Sequence, residues 1–217
     1  MEVERLRRNL EGIRRRIAEA CSRVGRDPGE VTLVVVTKSV PSEAIPALGP
    51  LGVTDIGENR PVEGLRRIGG LTGFRRHMVG HVQTNKIGKL LSWADVLHSL
   101  DRWKLLEELS RHPRRPPVYV QVNVSGEPSK GGFRPEEAEE AVGRARRAGL
   151  EVLGLMTMAP LGGEARPCFR ALRALAERCG VRGLSMGMSQ DFEAAVEEGA
   201  TCVRIGTAVF EGVFVYN

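Results

Sequence analysis

Eight times along this chain a short run of β-branched and aliphatic residues gives way, within a few positions, to a stretch with helical periodicity. The apolar runs fall at residues 31–39, 53–57, 76–80, 95–99, 118–124, 151–157, 183–187 and 201–206. Alternation of this kind with short connections implies parallel strands joined by right-handed crossovers. Eight units favour an α/β fold closed into a (β/α)8 TIM barrel over an open doubly wound sheet. Leu6, Leu10, Ile13, Ile17, Cys21 and Val24 recur at spacings of three and four, so residues 2–24 are expected to form an extra amphipathic helix ahead of the first strand. No linker or low-complexity segment interrupts the pattern, and residues 1–217 are expected to form one domain with its barrel over about 31–212.

Local signals refine this outline. Ser42 is placed to cap a short helix bent by Pro46, Asp101 to cap the helix of Trp103, Leu106 and Leu109, and Pro61 to open another. A glycine-rich loop of residues 125–134 follows the fifth strand and is long enough to move. Lys86 and Lys130 sit in loops, where lysine is ordinarily exposed.

The net charge of +5 and pI near 9.3 raise the question of nucleic acid. Only five of the 32 Lys and Arg residues are lysine, and the arginines fall in short clusters such as 14–16, 75–76, 114–115 and 146–147. Aromatic residues are not interleaved with them as stacking platforms, so the expectation is no nucleic acid and an anionic small ligand in one pocket. Cys21, Cys168, Cys179 and Cys202 show no metal-ligand spacing and read as buried free thiols. The first residues carry acids and arginines in place of an apolar leader, and no run approaches a membrane span. A cytoplasmic protein is expected, and with no long apolar surface stripe a monomer.

A barrel of this kind builds its site at the carboxyl ends of the strands, with phosphate commonly held after strands seven and eight. Lys38 ends the first strand there. Ser185, Gly187, Met188 and Ser189 end the seventh, and Arg204, Gly206 and Thr207 end the eighth. Gly187-Met-Ser189 and Gly206-Thr207 each combine a glycine, a hydroxyl and turn amides, a pairing on adjacent strands that favours a phosphate cradle over two plain turns. A phosphate site opposite a strand-end lysine suggests a phosphorylated carbonyl compound held as a Schiff base, with partial burial or Arg204 supplying the neutral amine. A pyridoxal phosphate protein and a class I aldolase acting on a sugar phosphate both fit. Arg204 favours the first, because an arginine facing a pyridine nitrogen keeps it unprotonated.

Several ordered motifs then carry a family resemblance: Val35-Val-Thr-Lys38, Ile56-Gly-Glu-Asn59, His77-Met-Val-Gly-His-Val-Gln-Thr-Asn-Lys86, Val122-Asn-Val124, Gly154-Leu-Met156, Leu184-Ser-Met-Gly-Met-Ser189 and Val203-Arg-Ile-Gly-Thr207. Together they resemble the pyridoxal phosphate homeostasis proteins, single-domain relatives of the N-terminal barrel of alanine racemase. The resemblance implies that pyridoxal 5′-phosphate is bound covalently at Lys38 as an internal aldimine. It further implies that Ser189, Gly206 and Thr207 with nearby amides hold the phosphate, that Arg204 faces the ring nitrogen, and that Asn59, His77 and Met156 line the ring. His81 stands where the resemblance leads one to expect an aliphatic residue, and Lys86 and Lys130 are transient acceptors at most. The implied role is cofactor storage, buffering or delivery to pyridoxal phosphate-dependent apoenzymes. Racemisation is the alternative, but it requires a proton donor on each face of the substrate carbon, and Tyr119 and Tyr216 are the only tyrosines.

Overall fold

The computed structural model describes residues 2–127, 130–160 and 162–213. Eight parallel strands close into a barrel in sequence order: β1 (Thr32–Val36), β2 (Asp55–Glu58), β3 (Arg75–Met78), β4 (Val96–Leu100), β5 (Val118–Gln121), β6 (Val152–Met156), β7 (Gly183–Ser185) and β8 (Cys202–Ile205). Closure is made by β8 beside β1, where Val34 lies opposite Arg204. The surrounding helices are α1 (Glu2–Arg23), α2 (Pro61–Arg67), α3 (Ile87–Leu91), α4 (Trp103–Ser110), α5 (Ala138–Arg147), α6 (Ala165–Arg178), α7 (Phe192–Glu197) and α8 (Thr207–Phe210).

The side-chain alternation of the strands divides the interior in two. Val35, Ile56, Met78, Leu97, Val120, Leu155, Leu184 and Val203 join one large apolar cluster with the helices. Inside the barrel, the apolar residues fall into two smaller clusters, Val34, Val36, Val79 and Cys202, and Val96, Tyr119 and Met156. Polar side chains fill much of the remaining interior: His77, His98, Ser185 and Arg204 are all buried.

Helix α1 packs against α7 and α8. Asn9 Nδ2 donates to the carbonyls of Val209 and Glu211, Arg16 pairs with Glu193, and Arg26 donates to the carbonyls of Val196 and Ala200. The extra helix therefore braces the side of the barrel that carries β7 and β8.

Four local expectations are corrected. Ser42 is the first residue of a 3-10 helix, Ser42–Leu51, with Pro41 at the cap and no side-chain cap bond; Pro46 and Pro50 remove the donors a regular α-helix would use. Asp101 does not cap α4, because its carboxylate is taken by His81 and Arg102. Cys168 is only partly buried, unlike the other three free thiols. Strand β5, Val118–Gln121, is shorter than the apolar run, and Val122 beyond it bridges to Phe133 while its N–H still donates to the Met156 carbonyl at 2.8 Å.

At the amino ends of β3 and β4, Arg76 donates to Asp95 from Nε at 2.8 Å and Nη2 at 3.0 Å, and its main-chain N–H adds a third bond at 3.0 Å. Burial alone would raise the Asp95 carboxyl, but these bonds hold it below the usual aspartate range. A depressed folded-state pKa contributes stability at neutral pH that is lost as pH falls below the unfolded value, about 3.9, and through the folded one. Asp95→Asn is thus expected to be less stable than the parent at pH 7, with the two denaturation midpoints converging below about pH 4.

Candidate functional site

The carboxyl ends of the strands open into a cavity of ≈ 940 Å³. Lys38, Asn59, Met188, Ser189, Arg204, Gly206 and Thr207 all line it, so the structure brings together seven of the eleven residues singled out from sequence. His77, Met156, Ser185 and Gly187 do not reach its wall. His77 is 3% exposed and faces Asp55 and His98, Met156 packs against Val96 and Tyr119, and Ser185 lies beneath Arg204. The expectation that His77 and Met156 line a ring is corrected accordingly: both belong to the layer below.

Lys38 follows β1 after the buried Thr37 and is exposed, so of the two expected sources of a neutral amine, partial burial does not apply. Its amine has no hydrogen bond or ion pair among the described residues. The turn that carries it is firmly held. Arg67 Nη2 donates to the carbonyls of Thr37 (2.7 Å) and Val40, while its Nε donates to Glu58 Oε1 at 2.9 Å. Thr37 Oγ1 donates to the same carboxylate oxygen at 2.7 Å. Glu58 is fully buried, and its Oε2 has no hydrogen-bond partner among the described residues.

Arg204 projects inward from β8 and is 5% exposed. Its partners are neutral: Nη1 donates to Ser185 Oγ at 2.5 Å and Nη2 to the carbonyl of Thr157 at 3.0 Å. No carboxylate pairs with it among the described residues. Burial pulls the guanidinium pKa below its ordinary value. A buried cation without a counter-ion is costly, and one that also lines a cavity invites an electron-rich ligand.

Beside it, the turn after β7 and the turn after β8 face each other. Gly187 adopts φ +96°, which a side chain would strain, and a Cβ there would meet Ala195 Cβ at 2.6 Å. A Cβ on Gly206 would press on the Val36 carbonyl at 3.0 Å. Ser189 Oγ accepts from the Ala208 N–H at 3.3 Å, stitching the two turns together instead of capping α7, which begins only at Phe192. The Met188 N–H is already donated to Asp191 Oδ1 at 2.6 Å. The N–H groups of Ser189, Gln190 and Gly206 have no partner among the described residues. Those amides with the Thr207 hydroxyl form a cradle of donors fitted to a phosphate group.

Two groups on the wall escaped prediction in their present form. His81, on the cavity wall, gives Nδ1 to Asp101 Oδ2 at 2.6 Å, and Asp101 is 6% exposed. Lys130, expected to be exposed, has a side chain only 16% exposed; it lines the cavity, pairs with Glu127 at 3.3 Å and donates to the Met158 carbonyl. Described residues of the loop that bears it are tied to β5 and its end: Asn123 Nδ2 donates to the carbonyls of Glu127 and Lys130, and Gln121 Nε2 to that of Gly131. Lys86 is partly buried and lies off the cavity wall.

Fold and site define a parallel barrel with a strand-end lysine, a buried arginine bonded to neutral partners and a donor cradle converging on one cavity. Residues 3–212 match the family described as alanine racemase, N-terminal domain. The pyridoxal phosphate homeostasis protein of Aquifex aeolicus is 40% identical over 223 residues, covering 95% of this chain and 96% of its own. Among solved structures, an unknown protein from Bifidobacterium adolescentis superposes with a TM-score of 0.89 at 33% identity, covering 96% of each chain. PipY of Synechococcus elongatus, with pyridoxal phosphate bound, superposes at 0.77 and 31% identity over 89% of this chain and 99% of PipY. The chain belongs to the pyridoxal phosphate homeostasis proteins of the alanine racemase N-terminal domain family.

Proposed function

We propose that this protein binds pyridoxal 5′-phosphate in the carboxyl-end cavity, covalently at Lys38 as an internal aldimine, and keeps the cofactor available within the cytoplasm by storing, buffering or delivering it. The observation that carries this reading is the convergence of Lys38, Arg204 and the two facing turns on one cavity. When bound, the group supplies an aldehyde that takes up an amine and a ring that accepts electrons. In this reading Ser189, Thr207 and the free turn amides hold the phosphate, and Asn59 and Met188 bound the ring. Arg204, a donor only, turns an N–H toward the ring nitrogen and leaves it unprotonated, which weakens the ring as an electron sink. Binding without strong catalysis follows from that. The protein acts as a monomer and meets apoenzymes only transiently.

Incubation with the cofactor should give a visible absorption band, and borohydride should fix one cofactor mass per chain. A protein that gains neither overturns the reading. The geometry around tyrosine supports a holding role. Tyr119 is buried, stacks on His98 with ring centroids 4.7 Å apart, and its phenol pKa is pushed up by burial. Tyr216 lies outside the described residues. A second reading, amino-acid racemisation or related catalysis, draws on His81, whose Asp101 partner leaves Nε2 free to move a proton on the cavity wall. Holoprotein and L-alanine in deuterated water decide between them: rapid exchange at Cα favours catalysis, and transfer of cofactor to an apoenzyme without exchange favours delivery.

A further inference from the structure

Beneath the cavity a line of buried polar side chains crosses the barrel. Arg204 Nη1 meets Ser185 Oγ at 2.5 Å, Ser185 Oγ meets His98 Nδ1 at 2.7 Å, His98 Nε2 meets His77 Nδ1 at 2.8 Å, and His77 Nε2 meets Asp55 Oδ1 at 2.9 Å. Strands β4 and β7 are not neighbours in the sheet, so the His98–Ser185 bond spans the interior. Asp55 is the first residue of β2 and therefore lies at the opposite end of the barrel, where it borders a second cavity of ≈ 300 Å³. We propose that Asp55, His77, His98 and Ser185 form a one-way hydrogen-bond relay that fixes both imidazoles as neutral Nε2–H tautomers and positions Arg204 for the ring nitrogen of the cofactor.

The direction follows from counting protons at both ends. An ionised Asp55 only accepts, so His77 must carry its proton on Nε2. A neutral His77 then has a bare Nδ1, which takes the Nε2–H of His98. The bare Nδ1 of His98 takes the single hydroxyl proton of Ser185, whose oxygen lone pairs remain for the guanidinium, which can only donate. Each link then has one donor and one acceptor, and the donor-only guanidinium is compatible with this direction.

Burial favours a neutral ring at His98. His98 is fully buried and its pKa is lowered well below the ordinary value, first by burial and further by the charges of Arg204 and Arg75. Asp55 would be raised by burial, but bonds from His77 and Thr54 hold its carboxyl below the usual range. The other ionisable groups near the line are Tyr119, stacked on His98, and Cys202, whose thiol is pushed up to about 11 by burial. Neither competes as an acid or base near neutral pH. Ser185 and His98 act through Arg204 and are positioning residues, since neither touches the cavity.

This inference rests on the cofactor reading only for what Arg204 faces; the relay itself is testable without cofactor. In the apoprotein labelled with 15N-histidine, His77 and His98 are both expected to show Nε2–H tautomer shifts at pH 7, and those of His98 are expected to stay constant down to pH 5. A charged ring or an Nδ1–H tautomer at either position at pH 7 overturns the relay. Ser185→Ala is expected to keep the thermal midpoint within a few degrees and the Lys38 adduct, but to weaken cofactor binding roughly 10- to 100-fold, the worth of a bond to a charged group, and to move the visible band. Unchanged affinity and band in a folded Ser185→Ala protein overturn the positioning role. Asp55→Ala, which touches no part of the cavity, is expected to unlock the His77 tautomer; wild-type shifts at both rings in that variant also overturn the proposal. If the parent protein takes up no cofactor, the function falls while the tautomer measurement still decides the relay.

Discussion

Replacement of Lys38 by alanine is expected to eliminate the borohydride-fixed cofactor adduct altogether while changing unfolding stability by no more than about 0.5 kcal/mol. The two halves of this expectation come from one observation: the side chain is exposed at the cavity mouth and engages nothing among the described residues. Its removal costs no packing and no bond, yet it takes away the amine. Lys130 is the built-in control, a second lysine on the same wall but held by Glu127 and the Met158 carbonyl. Peptide mapping of the reduced parent protein should place the added mass on the Lys38 peptide. Adduct persisting in Lys38→Ala with its mass on Lys130 would reassign the anchor.

The largest stability effect is expected at Arg67→Ala, with a loss of about 3–5 kcal/mol in urea denaturation. Arg67 is the counter-ion of Glu58, a carboxylate with no exposure whose second oxygen has no partner among the described residues. Without the guanidinium a buried charge stands alone, and the Thr37 and Val40 carbonyls lose their shared donor. Glu58→Gln combined with Arg67→Ala removes the charge as well, and should recover part of the loss. Since Thr37 to Val40 is the turn that presents Lys38, cofactor uptake should fall in Arg67→Ala even under conditions where it remains folded. A single variant thereby links the core beneath the strand to the chemistry above it.

The barrel was legible because parallel strands buried on both faces write themselves as short apolar runs, and Lys38 stood out as the charge at the end of one. The facing turns after β7 and β8 were equally plain, each marked by a glycine beside a hydroxyl. What escaped was anything set by side chains meeting across the barrel. His98 sits in mid-strand among apolar residues and carried a signal, a polar group where none is needed, but its partners on β3 and β7 are distant in sequence. The resemblance implies a place for His77 at the ring, whereas it lies two residues below Val79 on the same inward face and so falls in the layer beneath the cavity wall. Asp101 has the residue type of a helix cap, and only the proximity of His81 and Arg102 shows that its carboxylate is already engaged.

The closure of the barrel also fixes when the site can exist. Lys38 follows β1, whereas Arg204, Gly206 and Thr207 follow or belong to β8, and the two strands meet only when the ring shuts. The brace across that seam joins Asn9 to the carbonyl of Val209, groups 200 residues apart. Contacts of such sequence separation are entropically expensive and form late in folding. During synthesis, a ribosome-bound chain that has released β1 to β7 carries the lysine but neither the arginine nor the cradle. On the proposed reading, cofactor capture would follow translation and report completion of the ring, and the appearance of a visible band during refolding would time the docking of the last strand.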